Sequence, residues 1–253
     1  MNELLEDQLR YRSTQSAPRI WAGVVGLAVF FLLSFSDRTP GKEPSLPPRI
    51  DHLVYATPNL ASGVEQIERL LGVRAVPGGQ HPGGGTRNAL IRLGDETYLE
   101  IIGPDTDQPK PLQPRRFGID ELKAPRLVTW AVKGADLEAI VENAKSRRVD
   151  LGQIQSGSRR RPDGVLLSWR LTVSPLLTAD GIVPFFIDWG QTLHPAASLP
   201  KGCVLVALRA EHPDAVRVRG ALSFLGLDLL IAPGSGPALI ATIKTPHGNV
   251  ELR

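Results

Sequence analysis

The 253-residue sequence predicts an α+β fold of repeated βαβββ units, preceded by an N-terminal hydrophobic helix. Three observations predict it. The order strand, helix, three strands can be read three times, wherever apolar spacing switches between a period of two and a period near 3.6. The helix-to-strand junctions echo one another, as LLGVRAVPGG, RRVDLGQIQSG and FLGLDLLIAPG. A unit of roughly fifty residues also cannot cover its own sheet, so the copies must pack on or beside one another.

Residues 1–48 form the hydrophobic segment and its tether. Between Arg19 and Asp37 run seventeen uncharged residues, IWAGVVGLAVFFLLSFS. As a helix they reach about 25 Å, at the short limit for a ~30 Å hydrocarbon core. A single-pass membrane anchor over residues 20–36 is the leading reading, because a polar, proline-containing tether, DRTPGKEPSLPP, follows it. Export after signal cleavage near Ser36 is the alternative, since Ser34 and Ser36 are small residues placed for such a cut. Against it, the preceding stretch is long and carries Glu3, Glu6 and Asp7. A buried core helix is the third reading. Arg10, Arg12 and Arg19 on one side are matched by Arg38, Lys42 and Arg49 on the other, so charge sets no orientation.

Residues 49–190 hold two paired units and residues 191–253 a third. In the opening strand, Ile50, His52, Val54 and Ala56 face one way, and Asp51, Leu53 and Tyr55 the other. Asn59 caps a helix whose apolar stripe is Leu60, Val64, Ile67, Leu70 and Leu71, and Gly72 ends it. Strands follow near Arg74–Val76, Arg87–Leu93 and Thr97–Ile102. The second unit has a strand at Arg126–Val132, a helix at Asp136–Arg147, and strands at Gly152–Gln155, Val165–Val173 and Ile182–Trp189. The third has Cys203–Leu208, a helix at Asp214–Leu225, then Leu229–Ala232, Ala238–Thr245 and Asn249–Leu252.

At 42% hydrophobic and 22% charged residues, with a formal charge of +3, the composition is that of an ordinary globular protein. The densest basic cluster is Arg159, Arg160 and Arg161. With no aromatic residues interleaved, it reads as a solvated loop, and no nucleic-acid partner is expected. Cys203 is the single cysteine, which excludes an intrachain disulfide and a Cys-based zinc site.

The repeat order, the opening IDHLVYAT, the strand TRNAL and the closing YLEIIG resemble the vicinal oxygen chelate superfamily, in particular its glyoxalase-like domain branch. The resemblance covers Arg49 to Trp189 clearly and the third unit more loosely. It implies a glyoxalase/bleomycin-resistance-type curled sheet, in which two units form a cup. It also implies one divalent metal ion (Zn, Mn, Fe or Ni), held by His, Gln or Glu from the first and last strands of each unit. Chemistries in the superfamily include glyoxalase, epimerase, extradiol dioxygenase and thiol transfer, and some members bind antibiotics without reacting. The fold is therefore better specified than the reaction.

Strand parity tests the cup independently. With Leu53, Tyr55, Ala89, Ile91, Leu93, Leu99 and Ile101 on the helix side, the opposite face carries His52, Asn88, Arg92, Tyr98 and Glu100. In the second unit, Val128, Trp130, Leu167, Trp169, Leu171, Phe185 and Ile187 are expected on the helix side, leaving Thr129, Ser168, Arg170, Phe186 and Asp188 inward. A few polar groups among apolar walls suit a binding cavity. The resemblance makes His52 and Glu100 the metal ligands of the first unit. The second unit departs from the pattern: Leu127 cannot coordinate, and Asp188 reaches the fourth position only if a one-residue slip does not put Ile187 there.

The glycine-rich stretch Gly78–Gly85 lacks P-loop and dinucleotide spacing and reads as a turn. His81 within it is a candidate proton carrier. Of Arg87 and Asn88, parity favours Asn88 for the cup, while Arg87 could fork a carboxylate. His194, His212 and His247 read as surface residues, and Glu251 as part of a repeat kept as scaffold. The leading expectation is an enzyme of the glyoxalase-like kind acting on a small molecule: a metal-assisted lyase, isomerase or dioxygenase. In it the metal or the His52–Glu100 pair polarises an oxygen, His81 or Asp188 moves a proton, and Arg87, Asn88, Thr129, Arg170 and Phe186 bind substrate. The alternative is a non-catalytic protein that sequesters an apolar compound against Trp130, Trp169 or Phe186. A third class is an interaction module displayed at a membrane.

Overall fold

The computed structural model describes residues 49–174 and 177–253. The anchor expected over residues 20–36 and the cut near Ser36 lie outside the described residues. Among the described residues no helix is long and apolar enough to cross a membrane.

The first unit comprises β1 (Ile50–Ala56), α1 (Leu60–Leu71), β2 (Val76–His81), β3 (Thr86–Gly94) and β4 (Thr97–Pro104). The second comprises β5 (Arg126–Lys133), α2 (Leu137–Ser146), β6 (Gln153–Arg160), β7 (Leu166–Val173) and β8 (Phe185–Asp188). Both helices start where a side chain accepts from a free amide. Asn59 Oδ1 takes the Ser62 N–H at 3.0 Å, and Asp136 Oδ1 takes that of Ala139 at 3.0 Å. Gly72, at φ 68°, ends α1 in the left-handed region.

The eight strands form one sheet in the order β2-β3-β4-β1-β5-β8-β7-β6. β1 pairs with β4, and β5 with β8, in parallel, while β1 and β5 meet antiparallel at the centre. The sheet curls until its edge strands β2 and β6 touch. Gly79 permits this approach: its φ is 133°, and a Cβ there would lie 2.6 Å from the Arg160 carbonyl oxygen. The Arg159 guanidinium donates across the same gap to the Gly78 carbonyl. The result is the expected curled sheet.

The largest departures from the expected boundaries are in β2 and β6. β2 starts at Val76 and runs through His81, so Gly78 and Gly79 lie within a strand, at a bulge between Pro77 and Gly79. β6 continues to Arg160, paired residue for residue with β7, so Arg159 and Arg160 are strand rather than loop. The segment QSGSRR has no apolar alternation, and only its pairing partner reveals it.

The third unit comprises β9 (Val204–His212), α3 (Ala215–Phe224), β10 (Leu230–Pro233), β11 (Ala238–Thr245) and β12 (Gly248–Leu252). Its four-stranded sheet packs on the convex, helix-bearing face of the large sheet. Leu205, Leu208, Leu239 and Ile243 share one core with Leu53, Leu99 and Trp130, and with Ile67, Leu71 and Leu137 from the helices. Each such buried leucine or isoleucine contributes about 1.5–3 kcal/mol, so the third copy stabilises the floor beneath the cup. Glu251 pairs with Arg209 at 2.9 Å on this unit, away from the cavity.

Candidate active site

The site begins with an extra residue in β1. Pairing with β5 jumps from Ile50↔Val132 to His52↔Ala131, which leaves Asp51 as a bulge. Ile50 therefore turns into the helix-side core, and Asp51 joins His52 on the concave face, against the strict alternation expected. A second irregularity, between Val54↔Thr129 and Tyr55↔Leu127, makes Val128 the extra residue of β5. Val128 then packs with Val54, Ala56 and Ile102 on the concave side rather than with Trp130.

Asp51 is fully buried and receives three donors. His52 Nδ1 lies 2.7 Å from Oδ1; Trp189 Nε1 and His194 Nε2 lie 3.0 and 3.2 Å from Oδ2. These contacts assign the tautomers. His194 Nδ1 accepts the Ala196 N–H at 3.2 Å, so a neutral His194 carries its proton on Nε2 and donates to Asp51. His52 donates from Nδ1, which leaves the Nε2 lone pair facing the cavity. Burial opposes the Asp51 charge, but the hydrogen bonds from His194 and His52 outweigh it and hold the carboxyl far below the usual range. The His52 ring stacks on Tyr98 at 4.6 Å and meets the edge of Phe185 at 5.4 Å, which fixes its plane.

Glu100 sits beside β1, with one carboxylate oxygen 3.8 Å from His52 Nε2 and the other 3.8 Å from His81 Nε2. Asn88 Nδ2 donates to Glu100 Oε1 at 2.5 Å. Among the described residues the Asn88 Oδ1 atom is buried without a partner, because turning the amide over would set its oxygen against the carboxylate. It lies over Gly78, where a Cβ would come within 2.1 Å. His81 Nδ1 lies 2.9 Å from Thr86 Oγ1. His81 lines the cavity, and burial pushes its pKa below 6.5; Glu100 opposes that shift, while Arg159 and Arg116 add to it. At neutral pH this imidazole is uncharged.

These groups line a cavity of about 490 Å³. The segment joining β4 to β5 closes one side with Pro114, Arg116 and Phe117, and it is pinned where Arg115 Nε donates to the Gly85 carbonyl at 2.7 Å. The opposite wall is Trp169, Leu171, Phe185, Ile187 and Trp189. The faces of β7 and β8 are thus the reverse of those expected. β8 takes its register from Ala131↔Phe185, which turns Phe185 and Ile187 inward and sends Phe186 into the helix-side core, where it is 1% exposed. Arg170 pairs with Glu138 of α2. Asp188 accepts the Gly190 N–H at 2.8 Å at the strand's end, and Thr129 is buried away from the cavity lining. Trp130 is wholly buried in the core and donates to the Ile182 carbonyl at 2.8 Å. Strand parity alone puts apolar residues on the helix side, but in this half the cup wall is itself apolar.

Of the candidate residues, the structure brings together His52, His81, Asn88 and Glu100. It places Arg87 outside, 2.9 Å from Asp107. Asp51, Tyr98, Trp189, His194 and Arg159 complete the site. Arg159 is 3% exposed and lines the cavity, so the solvated-loop expectation fails for it. His194 and His212 are not surface residues either; His212 is buried 3.3 Å from Asp180. His247 is exposed, as expected.

The family model described as a glyoxalase-like domain matches residues 50–226. The chain belongs to that family, a branch of the vicinal oxygen chelate superfamily. Among solved structures, this glyoxalase-like protein resembles a hypothetical protein from Staphylococcus aureus, at 14% identity and a TM-score of 0.55, with 81% of this chain and 84% of that one covered. It also pairs with methylmalonyl-CoA epimerase from Mycobacterium tuberculosis at 18% identity, over 58% of this chain and 91% of that one. The TM-score of 0.38 is too low to inform the chemistry. No curated protein matches the chain.

The donor set decides whether the superfamily's metal fits. His52 Nε2 and Glu100 are suitable ligands, but the facing half of the cup offers Phe185 and Ile187, which have no donor atoms. Among the described residues, no three His, Cys, Asp or Glu side chains converge as an ion would require. Glu100 already accepts from Asn88, and the Arg159 and Arg116 guanidiniums raise the local positive potential. These residues do not fit a three-ligand metal centre. They do fit acid–base chemistry.

Proposed function

We propose that this glyoxalase-like protein is an enzyme that moves a proton on a carbon next to a carbonyl group of a small molecule, an isomerase- or lyase-type reaction. The observation that carries the reading is the His52 imidazole, oriented by Asp51 with its free Nε2 beside Glu100, in a cavity whose facing wall is apolar. The substrate C–H bond breaks, its proton goes to His52 Nε2, and the electron pair enters the enolate. Asp51 stabilises the imidazolium that forms. Arg159 and Arg116 supply positive potential for the enolate oxygen. The proton passes from His52 Nε2 to the neighbouring Glu100 carboxylate, and Glu100, now the acid, delivers it to a different atom of the enolate, which leaves both groups as they began.

The test is deuterium incorporation from heavy water into a panel of 2-oxo and 2-hydroxy carbonyl compounds, followed by proton NMR. Exchange that falls at least a hundredfold in His52→Gln and Glu100→Gln is the expected result. Ligands that bind without exchanging would favour a sequestering protein, a reading the aromatic wall of Tyr98, Trp169, Phe185 and Trp189 also suits. A stoichiometric divalent ion lost on His52→Ala would replace the metal-free mechanism. The apolar run over residues 20–36 would tether the domain to a membrane; a mature chain beginning at Asp37 would overturn that.

A further inference from the structure

Arg159 has more donors than the protein uses. Its guanidinium gives one Nη1–H to the Gly78 carbonyl, makes no salt bridge with a described carboxylate, and has no nitrogen among the occluded atoms lacking a partner. Its remaining N–H groups therefore open into the cavity it lines. A cation this deeply buried is costly unless an acceptor completes it. Arg116, at the mouth of the same cavity, donates to Gln155 Oε1 at 2.8 Å and likewise has no described carboxylate partner. The cavity wall thus sets two guanidiniums against one carboxylate, Glu100, which Asn88 already engages. Asp51, behind His52, adds a second negative charge to the site but does not line the wall.

We propose that Arg159 and Arg116 hold the carboxylate of a small organic acid whose apolar or aromatic body rests against Trp169 and Phe185. A planar guanidinium matches a carboxylate through paired N–H bonds. With Glu100 and Asp51 close by, two guanidiniums suit a monoanion better than a phosphate dianion. The inference rests on the proton-transfer reading only in taking this cavity as the substrate site, and its test needs no turnover.

The test compares phenylacetate, phenylacetamide and phenyl phosphate by calorimetric titration of the full-length protein. Phenylacetate should bind at least tenfold more tightly than the amide, and also more tightly than the phosphate. The acid-over-amide preference should vanish in Arg159→Gln and shrink severalfold in Arg116→Gln. Equal binding of acid and amide, or no phenylacetate binding by the wild-type protein, would overturn the proposal. Because Arg159 also clasps the two sheet edges, Arg159→Gln must first show a native-like melt. If it does not, Arg116→Gln decides, and an unchanged preference there refutes the anion site. Acid selectivity without deuterium exchange would end the proton-transfer reading and leave this one standing. Exchange on neutral ketones without acid selectivity would do the reverse.

Discussion

Replacing Asp51 by Asn keeps the shape of the side chain and removes the charge to which three donors point. In the wild-type protein His52 Nδ1, Trp189 Nε1 and His194 Nε2 all donate to this carboxylate, which is wholly excluded from solvent. An amide can keep one oxygen for Trp189 and His194, but it then presents an NH2 group to His52 Nδ1. Hydrogen bonds to a charged group contribute about 1.5–3 kcal/mol each, and those that survive here become neutral, so the net loss is about 2–4 kcal/mol. For a chain of this size that lowers the melting temperature by about 5–15 °C. The NH2 group also forces His52 into the other tautomer, with Nε2–H facing the cavity, which removes the base and cuts exchange by on the order of 10²–10⁴-fold. Nitrogen-15 NMR of the imidazoles reads the tautomer directly. The acid limb of the stability curve gives an independent check. The folded carboxyl sits below its ordinary value of 3.8, so the unfolded chain takes up the proton first. The network's contribution is complete above that value and is lost as pH falls toward the folded pKa. Asp51→Asn should flatten this limb. An Asn variant with the wild-type melting temperature and an unchanged His52 tautomer would refute the network.

The other predictions concern His81, Gly78 and the third unit. His81 has a folded pKa below 6.5, so stability is full above 6.5 and falls as pH drops through that value; His81→Gln should lessen the loss in urea midpoint between about pH 7 and 5. Gly78→Ala should cost about 1–3 kcal/mol, because the new Cβ meets Asn88 Oδ1. It should also displace Asn88 from Glu100 and weaken ligand binding; an unchanged melt and affinity would mean the strand yields easily. Leu208→Ala should cost about 2–5 kcal/mol while calorimetry still shows one transition. A separate early transition for residues 204–252 would contradict the shared core.

Much of the fold was legible in the sequence because each unit announces itself locally. Asn59, Asp136 and Asp214 cap the three helices, and apolar stripes give each an inner face. The first unit's half of the site was legible for a related reason: β3 and β4 alternate cleanly, so Asn88 and Glu100 fall opposite Ala89 and Leu99. The second half was not. In FFIDWG and LLSWRLTV both parities carry large apolar residues, and only the pairing of β8 with β5 fixes which ones face the cavity. Asp51 was hidden by a bulge, which depends on the partner strand and leaves no mark in β1 itself. His194 reaches Asp51 from 143 positions away through a loop, and no periodicity predicts that. Arg159 had a usable signal: β6 is the hairpin partner of a strand whose inner residues are apolar, and its last inward position holds an arginine.

The first unit carries His52, His81, Asp51 and Glu100; the second contributes carbon walls and Arg159, and Trp189 and His194 reach back to hold Asp51. Most of the reacting groups and most of the apolar wall therefore lie on separate stretches of chain. A mutant library confined to Trp169 and Leu171 could redirect what enters while leaving untouched Asp51, His52 and the groups that hold them in place.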